Sequence, residues 1–151
     1  MAKAAIAAGK TRVLLVEDNP ADIYLTELLL ERSAAGTTYE LSIARDGEEA
    51  LVALGLCGKP RERPLPDVIL LDLNLPKVDG WEVLRRIKSH PEAQLIPVVC
   101  LSSASSASEV NRCYELQANA FVRKLDEVKS MEESMRSLAR FWFQTVTLPQ
   151  C

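Results

Sequence analysis

Two unbroken apolar runs end in carboxylates: Val13-Leu14-Leu15-Val16 runs into Glu17-Asp18, and Val68-Ile69-Leu70-Leu71 runs into Asp72. Runs of this length without polar alternation suit strands buried on both faces of a parallel sheet. Parallel neighbours need crossover connections, usually helices, and the rest of the chain supplies them. Strand and helix signals alternate five times. The expected fold is therefore α/β, a doubly wound five-stranded parallel sheet flanked by five helices, in one domain.

The expected elements follow from local chemistry. Strand one spans about Arg12 to Val16. Helix one starts at Pro20, with Asn19 as its cap and Asp22 in its positive first turn. Tyr39-Glu40-Leu41-Ser42-Ile43-Ala44 alternates in period two, which suits a strand near an edge. Asp46-Gly47-Glu48-Glu49 caps a second helix carrying Ala50, Leu51 and Leu54. A loop rich in proline and charge, residues 58–66, leads into the third strand. Asp79-Gly80 opens a third helix with Val83, Leu84 and Ile87 on one face. Pro97-Val98-Val99-Cys100-Leu101 is the fourth strand, and Ser106 with Glu109 forms a capping box on the fourth helix. Ala120-Phe121-Val122-Arg123 is a short fifth strand. The last helix carries Met131, Met135, Leu138 and Trp142, spaced four, three and four apart.

Composition excludes several classes. The formal net charge of -3 gives no basic surface for nucleic acid or membrane. The stretch Lys59-Pro60-Arg61-Glu62-Arg63-Pro64 reads as a solvated loop. Cysteines 57, 100, 113 and 151 match neither a zinc motif nor a redox pair, which suits a reduced, cytoplasmic protein. Residues 1–10 are too weakly apolar for a secretory signal and read as a flexible leader. No run approaches transmembrane length.

In open parallel sheets, ligands bind outside the carboxyl ends of the strands. Glu17, Asp18 and Asp72 would meet there, and like charges crowded in one pocket resist ionisation unless something compensates. A hard divalent cation is the natural compensator, and Mg²⁺ suits a carboxylate-and-water site that also takes a phosphoryl group. Two further polar residues fall at strand ends, Ser102 after the fourth strand and Lys124 after the fifth. Each alone has a plain reading: a helix cap, a loop serine, a surface lysine. Together, in the order acidic pair, lone Asp, hydroxyl, Lys, they point to phosphoryl chemistry.

The motifs Leu15-Val16-Glu17-Asp18-Asn19, Leu71-Asp72-Leu73-Asn74-Leu75-Pro76-Lys77-Val78-Asp79-Gly80, Pro97-Val98-Val99-Cys100-Leu101-Ser102 and Phe121-Val122-Arg123-Lys124 resemble those of bacterial response regulator receiver domains, a flavodoxin-like fold. The resemblance runs from about Arg12 to Phe143, so 11–143 is the expected receiver and 144–151 an extended tail. It implies that Asp72 takes a phosphoryl group from the phosphohistidine of a sensor histidine kinase. It implies Mg²⁺ held by Glu17, Asp18, Asp72 and the backbone carbonyl of Asn74, with Lys124 and Ser102 contacting the phosphoryl group. Ser102 and Phe121 occupy the family's switch positions. The chain departs from the pattern where Leu125, not proline, follows Lys124, where serine replaces the commoner threonine at 102, and where Phe121 lacks a phenol.

The end Phe141-Trp142-Phe143-Gln144-Thr145-Val146-Thr147-Leu148-Pro149 resembles a subgroup, the small stand-alone regulators that accompany bacterial phytochromes. Three consecutive aromatics cannot all face inward on a helix. Phe141, Trp142, Phe143, Val146 and Leu148 are therefore the expected surface for a homodimer or partner. The function expected is a phosphoacceptor switch rather than an enzyme, signalling by dimerisation or partner binding. The alternatives are a relay intermediate feeding a histidine phosphotransfer protein, an Asp-nucleophile phosphatase, and a degenerate receiver used only for binding. Asn74 at the second position and the central place of the motif speak against the phosphatase, and the intact set of acidic pair, Asp72, hydroxyl and lysine against the degenerate receiver.

Overall fold

The computed structural model describes residues 9–34 and 36–150. Most of the expected leader, residues 1–8, lies outside the described residues, as do Ala35 and Cys151. In chain order the elements are β1 (Thr11–Val16), α1 (Pro20–Ser33), β2 (Tyr39–Ala44), α2 (Gly47–Ala53), β3 (Val68–Asp72), α3 (Gly80–Ser89), β4 (Val98–Ser102), α4 (Ala107–Glu115), β5 (Ala120–Arg123) and α5 (Val128–Ala139). All strands are parallel, in the order β2-β1-β3-β4-β5. The order reverses between β1 and β3, and such switch points are where crevices open in doubly wound sheets.

Period-two alternation sends side chains to two cores. Leu14, Val16, Ile69, Leu71, Val98 and Cys100 face α2, α3 and α4 on one side. Val13, Leu15, Val68, Leu70, Val99 and Leu101 face α1 and α5 on the other. Every residue of β3 and β4 is buried, which explains their apolar runs, while β2 at the edge is mostly half-buried. Cys100 and Cys113 are buried free thiols within the first core, and Cys57 is exposed. Among the described residues no helix is long and apolar enough to cross a membrane.

The helix starts follow the expected caps. Asn19 Oδ1 accepts the N–H groups of Ala21 and Asp22, Asp46 Oδ1 that of Glu49, and Asp79 Oδ1 that of Glu82. Ser106 Oγ accepts the Glu109 N–H, the first half of the expected capping box. Each satisfies an orphan donor of a first turn.

The end of the chain differs from a continuous last helix. The α-helical winding stops at Ala139, and a π-helix spans Arg140–Thr145, closed by a Val146 N–H bond to the Phe141 carbonyl. The wider turn rotates the aromatics relative to an α-helix. Phe143 stacks on Tyr39 of β2, with ring centroids 5.6 Å apart. Trp142 packs half-buried against the core, and Phe141, 49% exposed, meets it edge-on. Helical winding thus reaches Thr145, two residues past the expected boundary, and the backbone is extended at Val146.

Candidate functional site

The parallel register brings the strand ends level. Val16 pairs with Leu71, Asp72 with Leu101, and Ser102 with Arg123. Glu17, Asp72, Ser102 and Lys124 are therefore neighbours along one sheet edge, although up to 107 residues separate them in sequence. Glu17 is 1% exposed, Asp72 and Ser102 are also buried, and Asp18 faces solvent. Glu17, Asp18 and Asp72 each offer an oxygen within 4.8 Å of the others.

Lys124 is the positive centre of this pocket. Its Nζ donates to Glu17 Oε2 at 2.5 Å, Asp72 Oδ2 at 3.2 Å and Asp22 Oδ2 at 3.2 Å. Burial pulls the ammonium pKa down, but these carboxylates outweigh it and hold the group above the ordinary lysine value. Glu17 shifts the other way from most salt-bridged acids. Burial and the neighbouring Asp72 push its carboxyl up to about 7, against the pull of Lys124. One ammonium does not neutralise the crowded acids around it.

Backbone donors fix the remaining oxygens. Asn74 N–H donates to Asp72 Oδ1 at 3.0 Å, and Asn19 N–H to Glu17 Oε1 at 3.2 Å. Ser102 Oγ accepts the Ala104 N–H at 3.2 Å. Its own hydroxyl hydrogen can rotate to a new acceptor. The Lys124 N–H donates to the Ser102 carbonyl at 2.9 Å, which ties the lysine to the serine's strand. No cis peptide occurs among the described residues, so the Lys124–Leu125 bond is trans. Phe121 is half-buried against the first core, and its N–H donates to Tyr114 Oη on α4 at 3.1 Å.

Two glycines let the Asp72 loop close. A Cβ at Gly80 would meet the Asp72 carbonyl and Leu73 Cα at 2.5 Å. A Cβ at Gly47, the first residue of α2, would fall 1.8 Å from the Val78 carbonyl oxygen. Next to that contact Lys77 sits at φ 65°, with its ammonium 3.5 Å from Asp46. The β2–α2 turn therefore buttresses the loop that carries Asn74.

The structure gathers Glu17, Asp18, Asp72, Ser102 and Lys124 as expected, with Asn74 beside them. It adds Asp22, which the sequence presents only as an acid in a first helical turn. The signal that could have found it is its place four residues after Asp18, on the turn of α1 that overhangs the crevice. It also places Tyr114 and Gly47 in supporting contacts that no motif announces. Phe141, Trp142, Phe143, Val146 and Leu148 lie apart, on the C-terminal segment after α5.

Comparison with known proteins decides the family. Residues 13–136 match the response regulator receiver domain. The chain belongs to the response regulator receiver domain family. Response regulator Rcp1 from Synechocystis sp. is 42% identical over 137 residues, covering 91% of this chain and 92% of Rcp1. The crystal structure of the phosphorylated cyanobacterial phytochrome response regulator RcpA superposes on this receiver with a TM-score of 0.86 at 39% identity, covering 94% of this chain and all of that one. The Mn²⁺-bound form of Rcp1 superposes with a TM-score of 0.81 at 40% identity, covering 93% and 99%. The receiver is thus a homologue of phytochrome response regulators and acts in phosphorylation-dependent signalling. This family does not favour the phosphatase alternative.

The donor set fits a metal of the kind bound to Rcp1. It is all oxygen, three carboxylates converge, and one of them, Glu17, has its carboxyl pKa raised first by burial and then by the neighbouring Asp72.

Proposed function

We propose that Asp72 is the phosphoacceptor and that a sensor histidine kinase is the donor, a bacterial phytochrome kinase in particular. The observation that carries this reading is the buried Asp72 carboxylate, with Lys124 Nζ at 3.2 Å and the Glu17 and Asp18 oxygens within 4.8 Å. A carboxylate nucleophile forms an acyl phosphate: an Asp72 oxygen bonds to phosphorus as the P–N bond of phosphohistidine breaks, and imidazole leaves with the electron pair. Such transfer depends on positioning and on charge compensation more than on acid–base chemistry. Glu17, Asp18, Asp72 and the Asn74 carbonyl would hold Mg²⁺, which supplies positive charge for the phosphoryl oxygens. The Asn74 N–H fixes one Asp72 oxygen, leaving the carboxylate oriented for attack. Lys124 places an ammonium beside the new phosphoryl group. Ser102 turns its hydroxyl to a phosphoryl oxygen, and Phe121, the residue two before Arg123 on β5, follows that movement inward. The similarity to phytochrome response regulators supports the choice of kinase.

Output runs through the C-terminal segment in this reading. Phe141 is exposed, Val146 is half-buried with extended backbone, and Leu148 is half-buried. A second copy of the chain covering these groups gives a homodimer.

The test is labelling by acetyl phosphate with Mg²⁺. Wild-type protein takes up acid-labile phosphate, and Asp72→Asn takes up none. Undiminished labelling of that variant would remove Asp72 from the role.

A further inference from the structure

We propose that Asp22 is a positioning residue for phosphoryl transfer, a rim anchor that holds the Lys124 ammonium over the crevice. The inference rests on Asp72 being the phosphoacceptor. Lys124 has three ammonium hydrogens and, in this structure, three carboxylate partners. Two of them, Glu17 and Asp72, belong to the set of oxygens that converges for a cation. Asp22 alone among the three lies outside that set. When Glu17 and Asp72 are engaged by a cation and a phosphoryl group, Asp22 is the partner that stays with the lysine.

The local structure leaves Asp22 free for this work. An acid in a first turn usually serves the helix, by capping it or by meeting its dipole. Here Asn19 already accepts the N–H groups of Ala21 and Asp22, so the cap is filled. The Asp22 carboxylate instead crosses from α1 to the residue after β5, spanning 102 positions of sequence. Its side chain is 42% exposed, whereas that of Lys124 is 19% exposed. The carboxylate thus sits at the water-facing lip and the ammonium below it. Leu25, Leu125 and Met131 wall the small cavity beneath the pair. Beyond the pair itself, Thr26 is the one polar residue among the lining groups, so Asp22 is the charged partner the ammonium meets there.

A double-mutant cycle on the full chain tests the assignment, using Asp22→Asn, Lys124→Ala and both together. Asp22→Asn keeps the shape of the side chain and leaves the Asn19 cap intact. With acetyl phosphate and saturating Mg²⁺, Asp22→Asn slows labelling about fivefold, the size expected of an ion pair in a partly open site. In the Lys124→Ala background, where slow labelling persists, the same change has no further effect. A second reading uses no metal and no phosphate: acylation of Lys124 by acetic anhydride, measured against exposed Lys59, rises at least twofold in Asp22→Asn. Labelling by Asp22→Asn at the wild-type rate overturns the proposal, and so does an equal slowing in the Lys124→Ala background or an unchanged Lys124 acylation. Absence of label on the wild-type protein would sink the phosphoacceptor reading and this inference with it, whereas a labelled wild type with an indifferent Asp22→Asn sinks the inference alone.

Discussion

The strand-end crevice and the C-terminal segment lie at different parts of the molecule and are built on opposite principles. The crevice concentrates charge where burial disfavours it: Glu17 is 1% exposed with a carboxyl pKa near 7. The C-terminal segment does the reverse and leaves apolar surface where water disfavours it, with Phe141 49% exposed. Each region is locally unsatisfied, and each is the kind of place where a partner changes the balance. A cation and a phosphoryl group would complete the first, and a protein surface the second. The sheet is packed by apolar cores on both faces and carries both regions.

The largest expected effect tests whether the crevice is frustrated as described. Glu17 moves from an ordinary 4.5 to about 7 on folding. The folded protein therefore holds that proton more tightly than the unfolded chain, and stability falls as pH rises from about 4.5 to 7. Lys124, raised above the ordinary lysine value, contributes the same stability throughout this window, because it is charged in both states. The penalty reaches at most about 3 kcal/mol above pH 7. Metal-free protein should thus melt at higher temperature at pH 5 than at pH 8, Glu17→Gln should flatten the dependence, and Mg²⁺ should restore stability at pH 8. Asp18→Ala should weaken Mg²⁺ binding while leaving the metal-free protein as stable or more so. A metal-free melting temperature that climbs from pH 5 to pH 8 would refute the description.

A smaller effect probes how firmly the crevice is held. Gly47 and Val78 touch so closely that any side chain at 47 must displace backbone. Gly47→Ala should cost about 2 kcal/mol in urea unfolding, within the range for overpacking. It should also lower Mg²⁺ affinity, because the displaced loop carries Asn74. In the C-terminal segment Phe143 and Trp142 make the packing contacts and Val146 is only half-buried, so Val146→Ala should change stability less. Equal losses from the two changes would erase the contrast.

The two regions also differ in how far the sequence reveals them. The strands were legible because burial on both faces leaves unbroken apolar runs, and the crevice because a parallel sheet puts every strand end on one edge. Asp22 was not, because its partner lies 102 residues away and a first-turn acid has an ordinary use in the helix. The buttress at Gly47 depends on a backbone contact between two loops, which leaves no trace in either sequence. At the C-terminus the spacing of Met131, Met135, Leu138 and Trp142 continues the α-helical period through the point where the winding changes. A bond from Val146 N–H to the Phe141 carbonyl has no composition signature, so the π-helix was invisible.

The smallest effects separate the aromatics. Phe143 stacks on Tyr39 and belongs to the fold; Phe141 touches only its neighbour Trp142 among the ring contacts of the described residues. Removing the Phe143 ring should therefore cost about 1 kcal/mol or more, from lost stacking and lost apolar burial. Removing the Phe141 ring should leave stability within about 0.5 kcal/mol, as for a surface change. Association should show the opposite order. If Phe141 lies in a homodimer interface, Phe141→Ser weakens sedimenting dimers at micromolar concentration while the melt is unchanged. Truncation after Arg140 should then give a phosphorylatable monomer, less stable by the Trp142 and Phe143 contributions together. A dimer untouched by both Phe141→Ser and the truncation would move the interface elsewhere, and a Phe141→Ser variant that loses stability as Phe143→Ser does would show that both rings serve the core. Only a split, with stability following Phe143 and association following Phe141, keeps the C-terminal segment as a surface with two jobs.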